Sequence, residues 1–152
     1  MNNEIKITDV IITPLLIFSD DRGSVLHVLK SDSPSFTKFG EVYFSETLPN
    51  TVKAWKKHKI QTQNFAVPIG KIKLVIFDDR EKSLTKGIVQ IIEMGRPDNY
   101  IRVTIPPDLW YGFASIENSK SLLVNCSDYP HDKSESLILE YDSNLIPFSW
   151  NE

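Results

Sequence analysis

The run Lys71-Ile-Lys-Leu-Val-Ile-Phe-Asp78 constrains the fold more than any other feature of this chain. Laid out as a strand, it puts Ile72, Leu74 and Ile76 on one side and Lys71, Lys73, Val75 and Phe77 on the other. Similar short extended patterns recur at residues 25–29, 41–45, 88–93, 100–105, 113–116 and 121–126, parted by turns rich in Gly, Pro, Asn and Asp. Residues 5–17 read as an edge strand or two short extended pieces, because Pro14 cannot donate to a ladder. Residues 19–23 form a turn and 31–40 a loop. Residues 52–79 read as two strands joined near Pro68-Ile-Gly70, and 106–112 as a Pro-led turn carrying Trp110 and Tyr111. Residues 134–141 are expected to form a short helix. With no long amphipathic helix in the pattern, the expected class is all-β, a sandwich or barrel of the jelly-roll kind.

The length of 152 residues supports one domain with a real core, and no linker or repeat divides it, so 1–152 is read as a single unit. A net charge of −3 argues against general nucleic-acid binding but leaves room for a local cationic pocket. The single cysteine, Cys126, allows no intrachain disulfide and sits in Leu122-Leu-Val-Asn-Cys126, a strand interior. No signal-like N-terminus or membrane-length apolar stretch is present, which predicts a cytoplasmic protein with no membrane partner.

Chemistry concentrates just before Gly70. Lys53, Trp55, Lys56, Lys57, His58, Lys59, Gln61, Gln63 and Asn64 crowd one run, which points to an anionic ligand. Strict alternation would put Lys53, Trp55, Lys57 and Lys59 on one face and Lys56 and His58 on the other; the latter are the expected inward pair. His58 suits general acid–base work, since imidazole titrates near neutrality. Its plain alternative is a surface ring among lysines. Tyr111 offers a hydroxyl for an acid role or a sugar hydrogen bond, and is otherwise a packed rim residue. Arg22 could hold a phosphate or merely pair with a neighbouring Asp. His27, His58 and His131 are isolated in sequence, so no metal site is expected.

Asp21-Arg-Gly23, Val52-Lys-Ala-Trp-Lys-Lys-His58, Gly70 followed by Phe77-Asp-Asp-Arg80, Ser83-Leu-Thr-Lys-Gly87, Ile105-Pro-Pro-Asp-Leu-Trp-Tyr-Gly-Phe113, Cys126-Ser-Asp-Tyr129 and Ile146-Pro-Phe-Ser-Trp150 follow one another in a telling order. In that order and spacing the chain resembles the dTDP-4-dehydrorhamnose 3,5-epimerases and their shorter relatives, in the cupin superfamily. The resemblance implies a cupin double-stranded β-helix, a homodimer with strand exchange or cross-subunit contacts, and neither metal nor organic cofactor. It implies an enzyme that removes the proton beside the 4-keto group of a nucleotide-diphosphate sugar and returns it on the other face, in surface-polysaccharide synthesis.

Carried over by residue, the diphosphate-contacting turn falls on Arg22-Gly23, a cationic position on Lys53, and the catalytic histidine on Lys56, with His58 two residues on. The enolate-stabilising lysine falls on Gln63, the tyrosine acid on Val124 or Asn125, and the thymine-holding pair on Val25 and His27. A rearranged site would then use His58 as base, Tyr111 as acid and Gln63 or Asn64 as oxyanion donor, with Lys56 beside them. Arg22, Lys53, Gln63, Asn64 and Asn125 are the expected substrate-binding set. Two other outcomes stay open: a sugar 3,4-ketoisomerase, and a cupin that binds a nucleotide sugar without converting it.

Overall fold

A computed structural model describes residues 6–151. The chain folds into two facing five-stranded antiparallel sheets and a separate two-stranded hairpin. In chain order the strands are β1 (Ile11–Pro14), β2 (Ile17–Asp20), β3 (Gly23–Leu26), β4 (Glu41–Thr47), β5 (Val52–His58), β6 (Gln63–Ile69), β7 (Lys71–Phe77), β8 (Val89–Gly95), β9 (Ile101–Ile105), β10 (Trp110–Ser115), β11 (Ser121–Ser127) and β12 (Ser136–Ile138). The first sheet runs β1-β9-β6-β11-β4 and the second β12-β5-β10-β7-β8, while among the described residues β2 and β3 pair only with each other. From β4 onward the chain crosses between the sheets at every connection except β7–β8. That winding makes a double-stranded β-helix, the jelly roll expected of the turn spacing.

Alternation then decides what is buried. Ile72, Leu74 and Ile76 of β7 point between the sheets with Phe65, Val67, Val103, Ile105, Phe113 and Leu123. Val75 and Phe77 point the other way, onto an outer cluster of Trp55, Trp110 and Ile146 that the C-terminal residues Phe148 and Trp150 pack against. At roughly 25 cal/mol per Å² of apolar surface, this two-sided burial is the main stabilising term. The loop 78–88 closes the β7–β8 hairpin around Asp78, which is fully buried. Burial pushes the Asp78 carboxyl up, but the Arg80 guanidinium and the Ser83 and Thr85 hydroxyls outweigh it and hold the group far below the usual carboxylate range.

Several expectations need correcting. Residues 52–77 make three strands rather than two, because the chain changes sheets at 59–62 without any Gly or Pro. There Lys59 N donates to the Glu135 carboxylate and Thr62 N to Asp128, so side chains supply the partners that a turn would. Pro68 lies inside β6, at a break in the β6–β11 register where its missing N–H is tolerated. Trp110 and Tyr111 open β10 instead of standing in a turn. The extended run at 25–29 ends at Leu26. No helix forms over 134–141: a 3-10 turn at Lys133–Glu135 leads straight into β12. Residue 5, where the first extended segment was read to begin, lies outside the described residues.

Candidate active site

β5 carries the cationic run, and its pairing with β10 decides where each lysine points. Tyr111 is opposite Lys56 and Phe113 is opposite Lys53, so one residue of β10, Gly112, faces two of β5, Ala54 and Trp55. This bulge reverses the alternation between Lys53 and Lys56. Lys53 therefore joins Lys56 and His58 on the inner side, against the expectation that it shared a face with Trp55 and Lys57. Trp55 packs in the outer cluster. Lys57 is also outside, 2.5 Å from Asp79, which accepts the Trp110 indole N–H.

A cavity of about 290 Å³ opens between the sheets. Lys53, Ala54, Trp55 and Lys56 of β5, with Tyr111 and Phe113 of β10, line one wall; Tyr43, Ser45, Phe65 and Leu123 line the other, with Ile138 at the rim. Phe65 meets the Tyr111 and Phe113 rings edge-on at 5.2 and 6.0 Å, giving the cavity an apolar floor. Lys53 Nζ bridges to Ser45 Oγ of the facing sheet at 2.8 Å. Lys56 makes no ion pair among the described residues. Such a volume suits one small group, at the low end of the roughly 300–1,000 Å³ usual for ligand sites.

Behind Tyr111 lies a buried chain of three acid–base groups. Tyr111 Oη is 2.9 Å from His58 Nε2, and His58 Nδ1 is 2.8 and 3.2 Å from the two Glu135 carboxylate oxygens. Burial pushes the His58 ring below its ordinary value; Glu135 opposes this, and the charges of Lys56 and His131 add to it. The ring is thus neutral at pH 7. With Glu135 accepting from Nδ1–H, the bare Nε2 accepts the Tyr111 hydroxyl hydrogen. Burial, reinforced by the Glu135 charge, raises Tyr111 well above a free phenol, so it rests protonated. His58 does not line the cavity; it reaches it through Tyr111. Glu135 escaped the sequence reading because it lies 77 residues from His58 in a segment expected to be helical, and no spacing marks it.

The facing wall holds a second polar chain with a fixed direction. Asn64 N donates to Asn125 Oδ1 at 3.1 Å, which forces the Asn125 amide nitrogen toward Gln63 Oε1 and the Tyr43 hydroxyl oxygen, the latter at 2.9 Å. Gln63 Nε2 donates to Gln61 Oε1, and Gln61 Nε2 donates to the Pro130 carbonyl, each at 3.2 Å. A backbone donor at one end and a backbone acceptor at the other fix every amide between them. Gln63 and Asn125 are fully buried behind Tyr43 rather than in the cavity wall. Tyr43 was missed by the sequence reading; the Glu41–Ser45 strand pattern placed it on a strand but gave no reason to aim it inward.

The remaining expected residues lie elsewhere. Asn64 faces outward, where it accepts from Thr104 Oγ1 and donates to the Cys126 carbonyl. Arg22 sits in the β2–β3 hairpin, its side chain 85% exposed and paired with Asp20 at 2.5 Å. Val124 also faces outward, in a small cluster with Ala66 and Tyr100. The Cys126 thiol is pushed up by burial, with Arg102 opposing. Among the described residues no three His, Cys, Asp or Glu side chains converge, and no helix is long and apolar enough to cross a membrane.

The sequence model of the family described as dTDP-4-dehydrorhamnose 3,5-epimerase matches residues 4–152. A crystal structure described as a dTDP sugar isomerase from Desulfovibrio desulfuricans G20 superposes with a TM-score of 0.94 at 48% identity, covering 95% of this chain and 92% of that one. A probable low-salt glycan biosynthesis epimerase of Haloferax volcanii, Agl13, is 34% identical over 96% of both chains. The spore coat polysaccharide biosynthesis protein SpsL of Bacillus subtilis is 28% identical over 95% of this chain and 97% of its own.

Proposed function

The chain belongs to the dTDP-4-dehydrorhamnose 3,5-epimerase family, and from that premise we propose that it epimerises a carbon beside the ketone of a dTDP-linked 4-keto-6-deoxy hexose. The observation that carries the reading is the Tyr111–His58–Glu135 chain ending at the cavity wall beside Lys56. A protein that only held a sugar would have no use for a buried imidazole and carboxylate aligned behind one hydroxyl.

In this mechanism the Tyr111 oxygen takes the proton from the carbon next to the ketone while its own hydrogen passes to His58 Nε2. Tyrosinate, which burial disfavours, need never stand free. Glu135 stabilises the imidazolium and holds the ring in the tautomer that leaves Nε2 bare. The electron pair of the broken C–H bond forms the enolate, whose oxygen charge Lys56 stabilises inside a largely apolar cavity. His58 thus acts as the base through Tyr111, and Lys56, at the position where the family's histidine falls, acts as the electrophile. Lys53, at the cavity mouth, meets the diphosphate. Gln63 and Asn125 hold the Tyr43 hydroxyl from behind the cavity wall, and Asn64 anchors Asn125 through its backbone N–H.

Arg22 joins the site in a homodimer. The β2–β3 hairpin is tied to the first sheet at Leu26 but leaves Phe18 57% and Val25 62% exposed. Among the described residues strand β4 is an edge of the first sheet, and it exposes Val42 and Phe44. Both features suit burial against a second copy, with Arg22 reaching the partner's diphosphate. The relatives named for glycan and spore coat polysaccharide synthesis support a role in making surface polysaccharide.

Incubation with the 4-keto-6-deoxy sugar nucleotide in D₂O tests the reaction. Deuterium is expected at carbons flanking the ketone, together with an epimeric product, and both are expected to be lost by about 100-fold or more in His58→Ala. A ketone moved to carbon 3 would make the protein a ketoisomerase. Tight binding without any exchange would make it a binding protein.

A further inference from the structure

An epimerisation that starts at Tyr111 needs a second proton donor on the opposite wall, because the new C–H bond forms on the other face of the planar enolate. We infer that Tyr43 is that donor. The inference rests on the proposed epimerase activity and adds a catalytic residue to it.

Tyr43 and Tyr111 line the same cavity from different sheets, Tyr43 on β4 and Tyr111 on β10. The direction of the amide chain matters most. Asn64 N–H can only donate, so Asn125 presents its nitrogen to Tyr43 and Tyr43 accepts that bond. The Tyr43 hydroxyl hydrogen is therefore not used by Asn125 and is free for the cavity. Tyr111 differs here, since its hydrogen is committed to His58. One wall is built to take a proton and the other to give one. Burial, aided by the Glu41 charge and opposed by the Asn125 bond, raises Tyr43 above a free phenol, so it is protonated at neutral pH.

The step balances simply. The enolate electron pair forms the new C–H bond, the Tyr43 O–H bond breaks and the ketone is restored; tyrosinate then recovers a proton from water, and the His58 imidazolium releases to solvent, through Tyr111, the proton it took. Tyr43 is 38% exposed, enough for that exchange.

The test compares the wild-type protein with Tyr43→Phe, using the dTDP-4-keto-6-deoxy hexose in D₂O. Deuterium incorporation beside the ketone is expected to stay within about threefold of wild type, while epimer formation falls about 100-fold or more. Product with retained configuration and a deuterium label is the signature. Undiminished epimer formation overturns the assignment, and equal loss of both activities overturns it too, making Tyr43 a binding residue. Absence of exchange in the wild type itself would instead sink the epimerase reading. Should Tyr43→Phe not fold, 3-fluorotyrosine at position 43 keeps the shape and acidifies the hydroxyl. The alkaline limb for epimer formation should then move to lower pH while that for exchange stays put; an unmoved limb overturns the inference. Glu41, Lys53, Lys56 and Tyr111 are the charged or titratable groups around this hydroxyl, and all are unchanged by the substitution.

Discussion

Holding His58 as a neutral buried ring ties the stability of the protein to pH. The folded ring binds a proton less readily than the unfolded chain, whose histidine titrates near 6.5. Between the two values the unfolded state carries more protons, so stability is full at neutral pH and falls as the solution is acidified through about 6.5. The thermal midpoint of the wild type is expected to drop more steeply from pH 7 to 5 than that of His58→Asn. Parallel slopes would show that another group is responsible. At this scale the sequence was half legible. Lys56, His58 and Tyr111 were marked by residue type and by the strand on which they fall. Glu135 and Tyr43 were not, because a carboxylate 77 residues away and a tyrosine in an ordinary strand acquire meaning only when the chain brings them to His58 and Asn125.

Among the elements, β7 was readable because both its faces are buried in the way a period of two requires. β5 was not, since its bulge is a property of the pair with β10 and has no signature in β5 alone. Gly112 shows why the pair is so specific: a Cβ there would collide with the Ala54 side chain and touch Trp150, so the two strands approach closely just where the extra residue is absorbed. One misplaced residue of register moved Lys53 from the outer face to the cavity. The β2–β3 hairpin is the other element with a consequence. Leu26 packs back on the first sheet, but Ile17, Phe18 and Val25 stay exposed in a single chain, so the protein is expected to run as a dimer in light-scattering chromatography, with Phe18→Asp shifting it toward monomer. A monomeric wild type would leave Arg22 without a route to the site.

For the molecule as a whole, turn punctuation and strand length were enough to give the jelly roll, because a chain that changes sheets at nearly every connection must keep its strands short and separated. What they could not give was which strands face each other across the cavity, and the catalytic assignment depends on that. Both walls end in a tyrosine, and the buried groups behind each differ: imidazole and carboxylate behind Tyr111, amides behind Tyr43. In the proposed reaction the proton leaves the sugar through Tyr111. The most direct measurement is the rate of deuterium incorporation beside the ketone in Tyr111→Phe, with affinity for the nucleotide measured alongside. Exchange about 100-fold or more below wild type with unchanged nucleotide affinity is the expected result; exchange at the wild-type rate would contradict it.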